Sequence, residues 1–310
     1  MTDPHKTVLL TGSEGFIGRA VRRQLTAEGW HVLRADSLEP RVHTVRDARD
    51  LDHYGDVGAI GYGLAARARV VVHLAAQVGV ADSMTEPYRY VSQNTASTCQ
   101  LLDTLAAVHA RHPIRLVVAS SMSVYGDPQT EEPVTEQHSV RPASVYGLTK
   151  YDQEQLSLLW GQQVKAGVAA LRFFNVYGPG QALHNPYTGV LANFAQRLLC
   201  GQSPIVYEDG QQTRDWVYVD DVADAVCRAV STQTTGVFNV ATGTPTTVEA
   251  AARSLAKALG STVEPTVTGE HRLGDIRHCI GDGSLARALL GWEPQYDFAT
   301  GIARYAGALK

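Results

Sequence analysis

Residues 7–18 read TVLLTGSEGFIG, an apolar run that stops at Gly12 and leads into three glycines spaced GxxGxxG. The run is typical of a buried strand, and apolar residues recur at helical spacing from about Gly15 onward. Glycine permits a tight turn and lets a diphosphate approach the backbone at a helix N-terminus, where N–H groups and the helix dipole favour anions. The stretch therefore predicts the first unit of a dinucleotide-binding sheet.

The same alternation continues along the chain, because short apolar runs are separated by amphipathic segments. This pattern predicts a Rossmann-type α/β fold, a doubly wound parallel sheet with helices on both faces. Thr246 and Glu249 have the spacing of a capping box ahead of the last predicted helix. The predicted strands are 7–11, 31–35, 70–76, 114–121 and 167–176, and the later predicted helices are 58–68, 88–110, 144–165, 189–200 and 247–259.

The character of the sequence changes after the GPG at 178–180, where loop signals surround one helix and few strands are expected. We therefore expect residues 1–177 to form the dinucleotide-binding domain and residues 178–310 to form mainly a smaller, interleaved substrate lobe. The stretch 216–243 is expected to return to the first domain, since WVYVDDVADAV at 216–226 is as apolar as a core element.

Composition excludes several classes of function. The 310 residues include 27 Lys plus Arg and 31 Asp plus Glu, which gives a formal charge of −4. This balance does not indicate a positively charged surface for nucleic acid or an anionic membrane. No apolar run approaches the ~18 residues of a membrane-spanning helix, and the N-terminus lacks a basic-then-apolar secretory pattern, so a cytoplasmic location is expected. Four scattered cysteines and the absence of an HExxH pattern predict neither a disulfide framework nor a metal site.

Asp36 follows the second predicted strand at a distance from the glycines that suits a carboxylate bonded to an adenosine ribose. The same carboxylate would repel a 2′-phosphate, so NAD is favoured over NADP as the cofactor. A glycine turn with a surface aspartate is the structural alternative.

Tyr146 and Lys150 lie four residues apart on one face of a predicted helix. A tyrosine with its ordinary pKa of about 10 is a poor base at neutral pH, and a neighbouring ammonium favours the phenolate. The serines at 120, 121 and 123 stand at the end of the preceding strand, where parallel sheets open toward ligands. Hydrogen bonding to the local backbone is the structural alternative for these hydroxyls.

The motifs, taken in order from residue 7 to about 294, resemble the extended short-chain dehydrogenase/reductase family, in its nucleotide-sugar epimerase/dehydratase branch. The resemblance implies the Rossmann fold, NAD as cofactor and a nucleotide-sugar substrate. The stretches that carry it are TGSEGFIG (11–18), DARD (47–50), HLAA (73–76), SSMSVYG (120–126), RFFNVYGP (172–179), RDWVYVDD (214–221) and GDIR (274–277).

Carried over residue by residue, the resemblance implies Tyr146 as general base, Lys150 as its electrostatic partner and ribose anchor, and Ser121 as the hydroxyl that bonds the reacting oxygen. It also implies that Asn175 and Arg214 hold the substrate diphosphate. The implied cofactor residues are Gly12, Gly15, Phe16, Ile17, Gly18, Asp36, Asp47, Ala48, Leu74, Ala75, Ala76, Asn94, Ala119, Tyr146, Lys150 and Phe173. The implied substrate residues are Ser121, Ser123, Asn175, Val190, Tyr207, Arg214, Arg272 and Asp275.

Met122 and Ser123 stand where related 4,6-dehydratases carry Asp-Glu and where decarboxylases usually show Glu at the second place. Neither side chain is a carboxyl acid, so the resemblance favours a 4-epimerase of a UDP- or dTDP-hexose that works through a 4-keto intermediate. Its motifs are most similar to those of dTDP-L-rhamnose and UDP-hexose 4-epimerases. A dehydratase or decarboxylase with an acid from elsewhere and a non-catalytic dinucleotide sensor remain as alternatives. Relatives pair the helices at 88–110 and 144–165, so a homodimer is expected.

Overall fold

The computed structural model describes residues 6–40, 47–183, 189–271 and 276–310. Within these ranges the strands are β1 (Thr7–Thr11), β2 (His31–Asp36), β3 (His53–Tyr54), β4 (Val70–His73), β5 (Arg115–Ser121), β6 (Val168–Phe173), β7 (Asn175–Tyr177), β8 (Ile205–Val206), β9 (Thr213–Tyr218), β10 (Gly236–Val240), β11 (Pro245–Thr247), β12 (Thr266–Val267) and β13 (His278–Cys279). The α-helices are α1 (Phe16–Ala27), α2 (Tyr62–Ala65), α3 (Val80–Thr85), α4 (Pro87–Tyr90), α5 (Ser97–His109), α6 (Val145–Val164), α7 (Val190–Leu199), α8 (Val219–Ser231), α9 (Val248–Leu259), α10 (Ser284–Leu290) and α11 (Phe298–Leu309).

In the described ranges, seven strands form one sheet in the order β10-β6-β5-β4-β1-β2-β3. All neighbouring strands in it run parallel. The strand order reverses at β1, and ligands of such sheets bind outside the carboxyl ends of the strands at this switch point. The expected Rossmann-type, doubly wound α/β fold is confirmed.

The apolar run in β1 explains why both faces of the sheet are covered. Val8 and Leu10 are buried in a core that includes residues of α1 and α8, whereas Leu9 is buried in a second core with residues of α5 and α6. Successive side chains of a strand point to opposite faces, so an uninterrupted apolar strand requires a helical layer on each side.

A second sheet in the described residues is centred on β9, which pairs antiparallel with β11 and parallel with β7 and β13. Residues of α7, α9 and α11 pack a third core around Tyr177 and Trp216. The chain then returns, because α8 packs on α1 and β10 joins the first sheet beside β6. The smaller lobe is therefore interleaved with the first sheet, and β9 itself belongs to the second sheet.

Two predicted helices differ in extent from the structure. The predicted helix 58–68 is reduced to Tyr62–Ala65, because three glycines in this stretch lower its helix propensity. The predicted helix 88–110 is interrupted by a π-helical segment at Val91–Ala96, which places Asn94 in a buried position. Such segments are frequent at functional sites.

The later half contains more strands than we predict, because strands of two or three residues carry too little periodicity to be detected. The predicted strand 167–176 is also divided, since the chain leaves the first sheet at Phe174. Thr246 lies in β11, and it is Thr247 that caps α9 by accepting a hydrogen bond from the Ala250 N–H at 3.1 Å.

A buried ion pair holds α6 on the sheet. The side chains of Glu154 in α6 and Arg172 in β6 are 0% and 4% exposed, and they form a fork with N···O distances of 2.6 and 2.9 Å. Ser120 donates to the same carboxylate at 2.7 Å, and Arg172 donates to the Tyr125 hydroxyl at 2.9 Å. Burial raises the pKa of Tyr125 to about 12, so its hydroxyl stays protonated.

We expect Arg172→Met to lower the free energy of unfolding by about 3 kcal/mol, because it leaves the Glu154 carboxylate buried without its cation. The matched control is Arg67→Met, which removes a half-exposed guanidinium 3.4 Å from Asp52 and should cost less than about 1 kcal/mol. Urea unfolding of both variants measures the difference. Equal losses would contradict the anchoring role of the buried pair.

Candidate active site

The glycine turn after β1 leaves backbone open for a ligand. Gly12 has φ +69°, and a Cβ there would lie 2.9 Å from the Ala75 nitrogen. A Cβ at Gly18 would lie 1.9 Å from the Gly12 oxygen, so only glycine lets α1 pack on the turn. Gly15 precedes α1 without a side-chain cap, which leaves the first turn suited to an anion. The predicted cofactor residues of this first turn are Phe16 and Ile17.

Asp36 lies on the other side of this turn. Its buried carboxylate accepts hydrogen bonds from the N–H groups of Glu14 and Leu38, both at 2.8 Å. The Ser13 N–H donates to the Ala35 oxygen at 3.3 Å, which further ties the turn to the end of β2. These features together fit a dinucleotide. The helix start accepts anions, the turn has a glycine where a Cβ would collide, and a carboxylate lies at the ribose position.

The predicted adenine-side residues Asp47 and Ala48 lie in an exposed turn. The carboxylate of Asp47 pairs with Arg49 at 2.6 Å, and these hydrogen bonds hold the pKa of Asp47 below its ordinary value. The Ala48 oxygen accepts a hydrogen bond from the Leu51 N–H at 3.0 Å. Their contact with a cofactor stays a prediction.

The chain that leaves β4 runs beside the glycine turn. The Leu74 N–H donates to the Thr11 oxygen, and the Ala75 N–H donates to the Thr11 hydroxyl, both at 3.3 Å. The ends of β5 and β6 are adjacent in the sheet, with Ser121 in register with Phe173. Predicted cofactor residues at these strand ends are Leu74, Ala75, Ala76, Ala119 and Phe173.

Asn94 connects this stretch to α6. Its amide oxygen accepts a hydrogen bond from the Gln77 N–H at 2.6 Å, and its amide nitrogen donates to the Thr149 hydroxyl at 3.0 Å. Because Thr149 lies between the two predicted catalytic residues of α6, the π-helical segment helps to position that helix.

Ser121 and Tyr146 meet at the carboxyl end of β5, where their side chains form a hydrogen bond. Ser121 ends this strand and accepts a hydrogen bond from the Ser123 N–H at 3.2 Å. Ser144 caps α6, so Tyr146 lies in its first turn and Lys150 follows one turn later on the same face. Burial raises the pKa of Tyr146, and its hydrogen bond with Ser121 acts in the opposite direction.

Lys150 is buried among polar groups. Its side chain donates from Nζ to the Gln153 amide oxygen at 2.5 Å, and the residue is only 3% exposed. Burial lowers the pKa of Lys150 to about 7, although the Glu154 carboxylate acts to raise it. A negative charge that forms nearby, such as a phenolate, would stabilise the ammonium.

Gln153 is a site residue that the sequence motifs did not identify. Its amide nitrogen donates to the Thr98 hydroxyl at 2.8 Å and lies 3.1 Å from His73 Nε2, and His73 Nδ1 lies 2.8 Å from the Thr11 hydroxyl. Burial and the charge of Lys150 lower the pKa of His73 to about 3, so this imidazole is neutral. The available signal in the sequence was a glutamine three residues after Lys150, on the same helix face.

The smaller lobe contributes polar groups from β7 and β9. Among the described residues, no donor reaches the buried Asn175 Oδ1, and such an acceptor is expected to bond to a ligand. The Arg214 guanidinium donates to the Thr213 oxygen at 2.9 Å and to the Arg277 oxygen at 3.3 Å. Val190 is the first residue of α7.

Tyr207 lies next to a turn that ion pairs stabilise. Arg277 contacts the carboxylates of Glu208 at 2.9 Å and Asp209 at 2.6 Å, and Gln212 donates to the Tyr207 oxygen at 2.9 Å. The Arg277 hydrogen bonds hold the pKa of Asp209 well below its ordinary value. Arg277 lies inside the GDIR motif, but the motif did not predict these pairs.

Two predicted substrate residues, Arg272 and Asp275, lie outside the described residues.

The described ranges hold neither a cluster of metal-ligating side chains nor a membrane-spanning helix. No group of three or more His, Cys, Asp or Glu side chains in these ranges is arranged to hold a metal ion. None of the helices described here is both long and apolar enough to cross a bilayer. The cysteines at 99, 200, 227 and 279 all carry free thiols.

Comparison with known proteins identifies relatives that cover nearly the whole chain. Residues 8–241 match the model of a family described as NAD dependent epimerase/dehydratase. The chain is 32% identical to a dTDP-L-rhamnose 4-epimerase of Burkholderia thailandensis, with 96% of this chain and 93% of that protein covered. It is 34% identical to a UDP-glucose 4-epimerase of Mycolicibacterium smegmatis, with 96% of each covered. The crystal structure of a UDP-glucose 4-epimerase from Thermotoga maritima with UDP-glucose superposes with a TM-score of 0.89 at 31% identity, over 97% of this chain and 98% of that chain.

We expect Lys150→Met to stabilise the cofactor-free protein more at pH 6 than at pH 9. The pKa of Lys150 is about 7 in the folded chain and 10.5 ordinarily, so its burial costs most below pH 7 and progressively less up to pH 10.5. The free energy gained by removing the ammonium should be about 2 kcal/mol larger at pH 6.

Urea unfolding at the two pH values measures this difference. Lys257→Met, at an exposed position of α9, should show no pH-dependent gain. A gain for Lys150→Met that is independent of pH would contradict the lowered pKa.

Proposed function

The chain belongs to the NAD dependent epimerase/dehydratase family, and on that premise we propose that it is an NAD-dependent 4-epimerase of a UDP- or dTDP-linked hexose. The observation that carries the proposal is the hydrogen bond between Ser121 and Tyr146 at the end of β5, with Lys150 one turn further along α6 and the glycine turn at the same end of the sheet. Relatives named as 4-epimerases of dTDP-L-rhamnose and of UDP-glucose support this reaction and both nucleoside classes.

The cofactor side of the site is proposed to consist of the glycine turn, Asp36, residues 74–76, Asn94 and Lys150. NAD⁺, when bound there, supplies a hydride acceptor for the sugar C4 and the hydride that later returns to it. The residues of this chain hold the reacting groups in place, which is the larger part of such catalysis.

Tyr146 is proposed to take the proton of the sugar O4 as a phenolate and to return it when the opposite epimer forms. The Lys150 ammonium stabilises that phenolate through its charge, because the two residues share one face of α6. Ser121 bonds the reacting oxygen. Its hydroxyl donates to the Ser123 hydroxyl at 3.0 Å in the described structure, so the two serines can share contact with the sugar.

The residues after Ser121 disfavour dehydration and decarboxylation. Met122 is buried and packs in the core beside the sheet, and Ser123 carries a hydroxyl. Neither side chain can protonate a leaving hydroxyl as a carboxylic acid does. A 4-keto sugar held at this position is therefore left to accept hydride on its other face.

On the sugar-nucleotide side, Asn175 and Arg214 are proposed to bind the diphosphate and Tyr207 to stack on the base. The unsatisfied Asn175 oxygen and the planar guanidinium supply complementary groups for hydroxyls and phosphate oxygens. Val190, Arg272 and Asp275 complete the proposed substrate set.

Proton NMR of UDP-glucose, dTDP-glucose and dTDP-L-rhamnose, each with enzyme and a trace of NAD⁺, tests the reaction. We expect the C4 epimer of one sugar to accumulate without net NADH.

In the same assay, Tyr146→Phe should lower turnover by about 10³-fold while NAD⁺ binding is retained. Tyr54→Phe, at an exposed position, is the control and should be fully active. Loss of water or carbon dioxide instead of epimerisation, or an active Tyr146→Phe variant, would overturn the proposal.

A homodimer is proposed because α6 exposes apolar side chains on the face away from the sheet. Leu148 and Leu159 are 47% and 60% exposed and lie three turns apart on this helix. A second copy of the same face would remove them from water.

Light scattering should therefore give twice the chain mass, and Leu159→Asp should shift the protein toward monomer. Leu289→Asp, at a half-exposed position of α10, is the control and should stay dimeric. A monomeric mass for the unmodified protein would refute the dimer.

A cytoplasmic location is also proposed. The four free thiols are consistent with a reducing compartment, in which disulfides are rare.

A further inference from the structure

Glu14 occupies a place beside the dinucleotide turn that the proposed reaction does not use. It precedes Gly15, and its N–H donates to the Asp36 carboxylate at 2.8 Å. Asp36 is the group expected to bond the adenosine ribose, so Glu14 lies next to the ribose position.

The carboxylate of Glu14 binds two arginines. Its Oε1 atom accepts hydrogen bonds from Arg22 Nη1 at 3.0 Å and from Arg34 Nε and Nη2 at 3.0 and 2.9 Å. Ser13 donates to the same oxygen at 3.1 Å. Arg22 lies in α1 and Arg34 lies in β2, so this one oxygen binds an arginine from each of the two elements that border the turn.

Arg34 and Asp36 point to the same face of β2, because they are two residues apart on a strand. The Arg34 and Arg22 side chains are partly exposed, at 21% and 29%, so solvent or a ligand can reach them. The Glu14 carboxylate pairs with both guanidinium groups, and the exposed Asp50 carboxylate lies 3.7 Å from Arg34 Nη1. An arginine near this position is what accommodates the 2′-phosphate of NADP in folds of this class.

We propose that Glu14 is a cofactor-specificity residue, which occupies a phosphate-binding fork formed by Arg22 and Arg34 and so excludes NADP. A ribose with a free 2′-hydroxyl needs no cation, and NAD binds beside the neutralised arginines. A 2′-phosphate would have to displace the Glu14 carboxylate and meet its negative charge. The inference rests on the dinucleotide-binding half of the proposed function and is independent of the sugar substrate.

Replacing Glu14 with a neutral residue exposes the fork. Arginine binds phosphate through two parallel hydrogen bonds assisted by charge, and the phosphate group of NADP carries nearly two negative charges. Asp36 stays beside the ribose in such a variant and still bonds the unmodified sugar. The variant should therefore bind both cofactors instead of exchanging one for the other.

The test is titration of the purified full-length chain with NAD⁺ and with NADP⁺, followed by calorimetry at fixed ionic strength. We expect Glu14→Gln and Glu14→Ser to lower the Kd for NADP⁺ by about tenfold or more, with the Kd for NAD⁺ within about threefold of the unmodified protein. Adding Arg34→Gln to Glu14→Gln should remove the gain. The matched control is Glu28→Gln, which removes the same charge beyond the far end of α1, a 12-residue helix about 18 Å long.

A purely structural role for Glu14 would lower the thermal midpoint without changing the ratio of the two dissociation constants. An unchanged ratio in both folded Glu14 variants, with normal NAD⁺ binding, overturns this inference and leaves the proposed function intact. A gain that survives the added Arg34→Gln also overturns it, since the fork would not carry the phosphate. If the unmodified protein binds neither cofactor, both this inference and the proposed function fail.

Discussion

One face of α6 is polar and buried, and the geometry of the site depends on how that face is satisfied. Tyr146, Lys150 and Glu154 follow each other at intervals of four residues along it. Lys150 is held by Gln153, and Glu154 is held by Arg172 on the neighbouring strand β6. A buried charge without its partner costs several kcal/mol, so the helix cannot rotate or slide without losing these contacts. The phenol is thereby fixed relative to the end of β5.

The two ends of the candidate active site carry different charged groups. Carboxylates lie at the ribose end, where Asp36 closes the glycine turn and Glu14 binds two arginines. The middle holds the Lys150 amine beside a neutral His73. Neither Met122 nor Ser123, the two residues after Ser121, carries a carboxyl group. This arrangement suits reversible oxidation of an alcohol, in which one proton moves to a phenolate and no leaving group requires protonation.

Local signals made the first sheet predictable from the sequence, and they also indicated the residues proposed as catalytic. β1 and β5 are long apolar runs, the glycines are spaced for a turn, and Tyr146 and Lys150 share a helix face. The π-helical segment around Asn94 and the short strands of the smaller lobe were missed because their residues carry no distinct periodicity. Contacts between distant residues, such as that of Gln153 with Thr98 or Arg277 with Asp209, depend on tertiary packing that spacing does not encode.

In the proposed reaction, one carbon of the sugar is held between the dinucleotide site and the Tyr146 phenol. The most direct test uses a nucleotide hexose with deuterium at C4, incubated to equilibrium in ordinary water and analysed by NMR. We expect deuterium to remain at C4 in both epimers, because the hydride leaves C4 for the bound cofactor and returns to the same carbon. Loss of the label to water would show that C4 is deprotonated instead, which is incompatible with hydride transfer at this carbon.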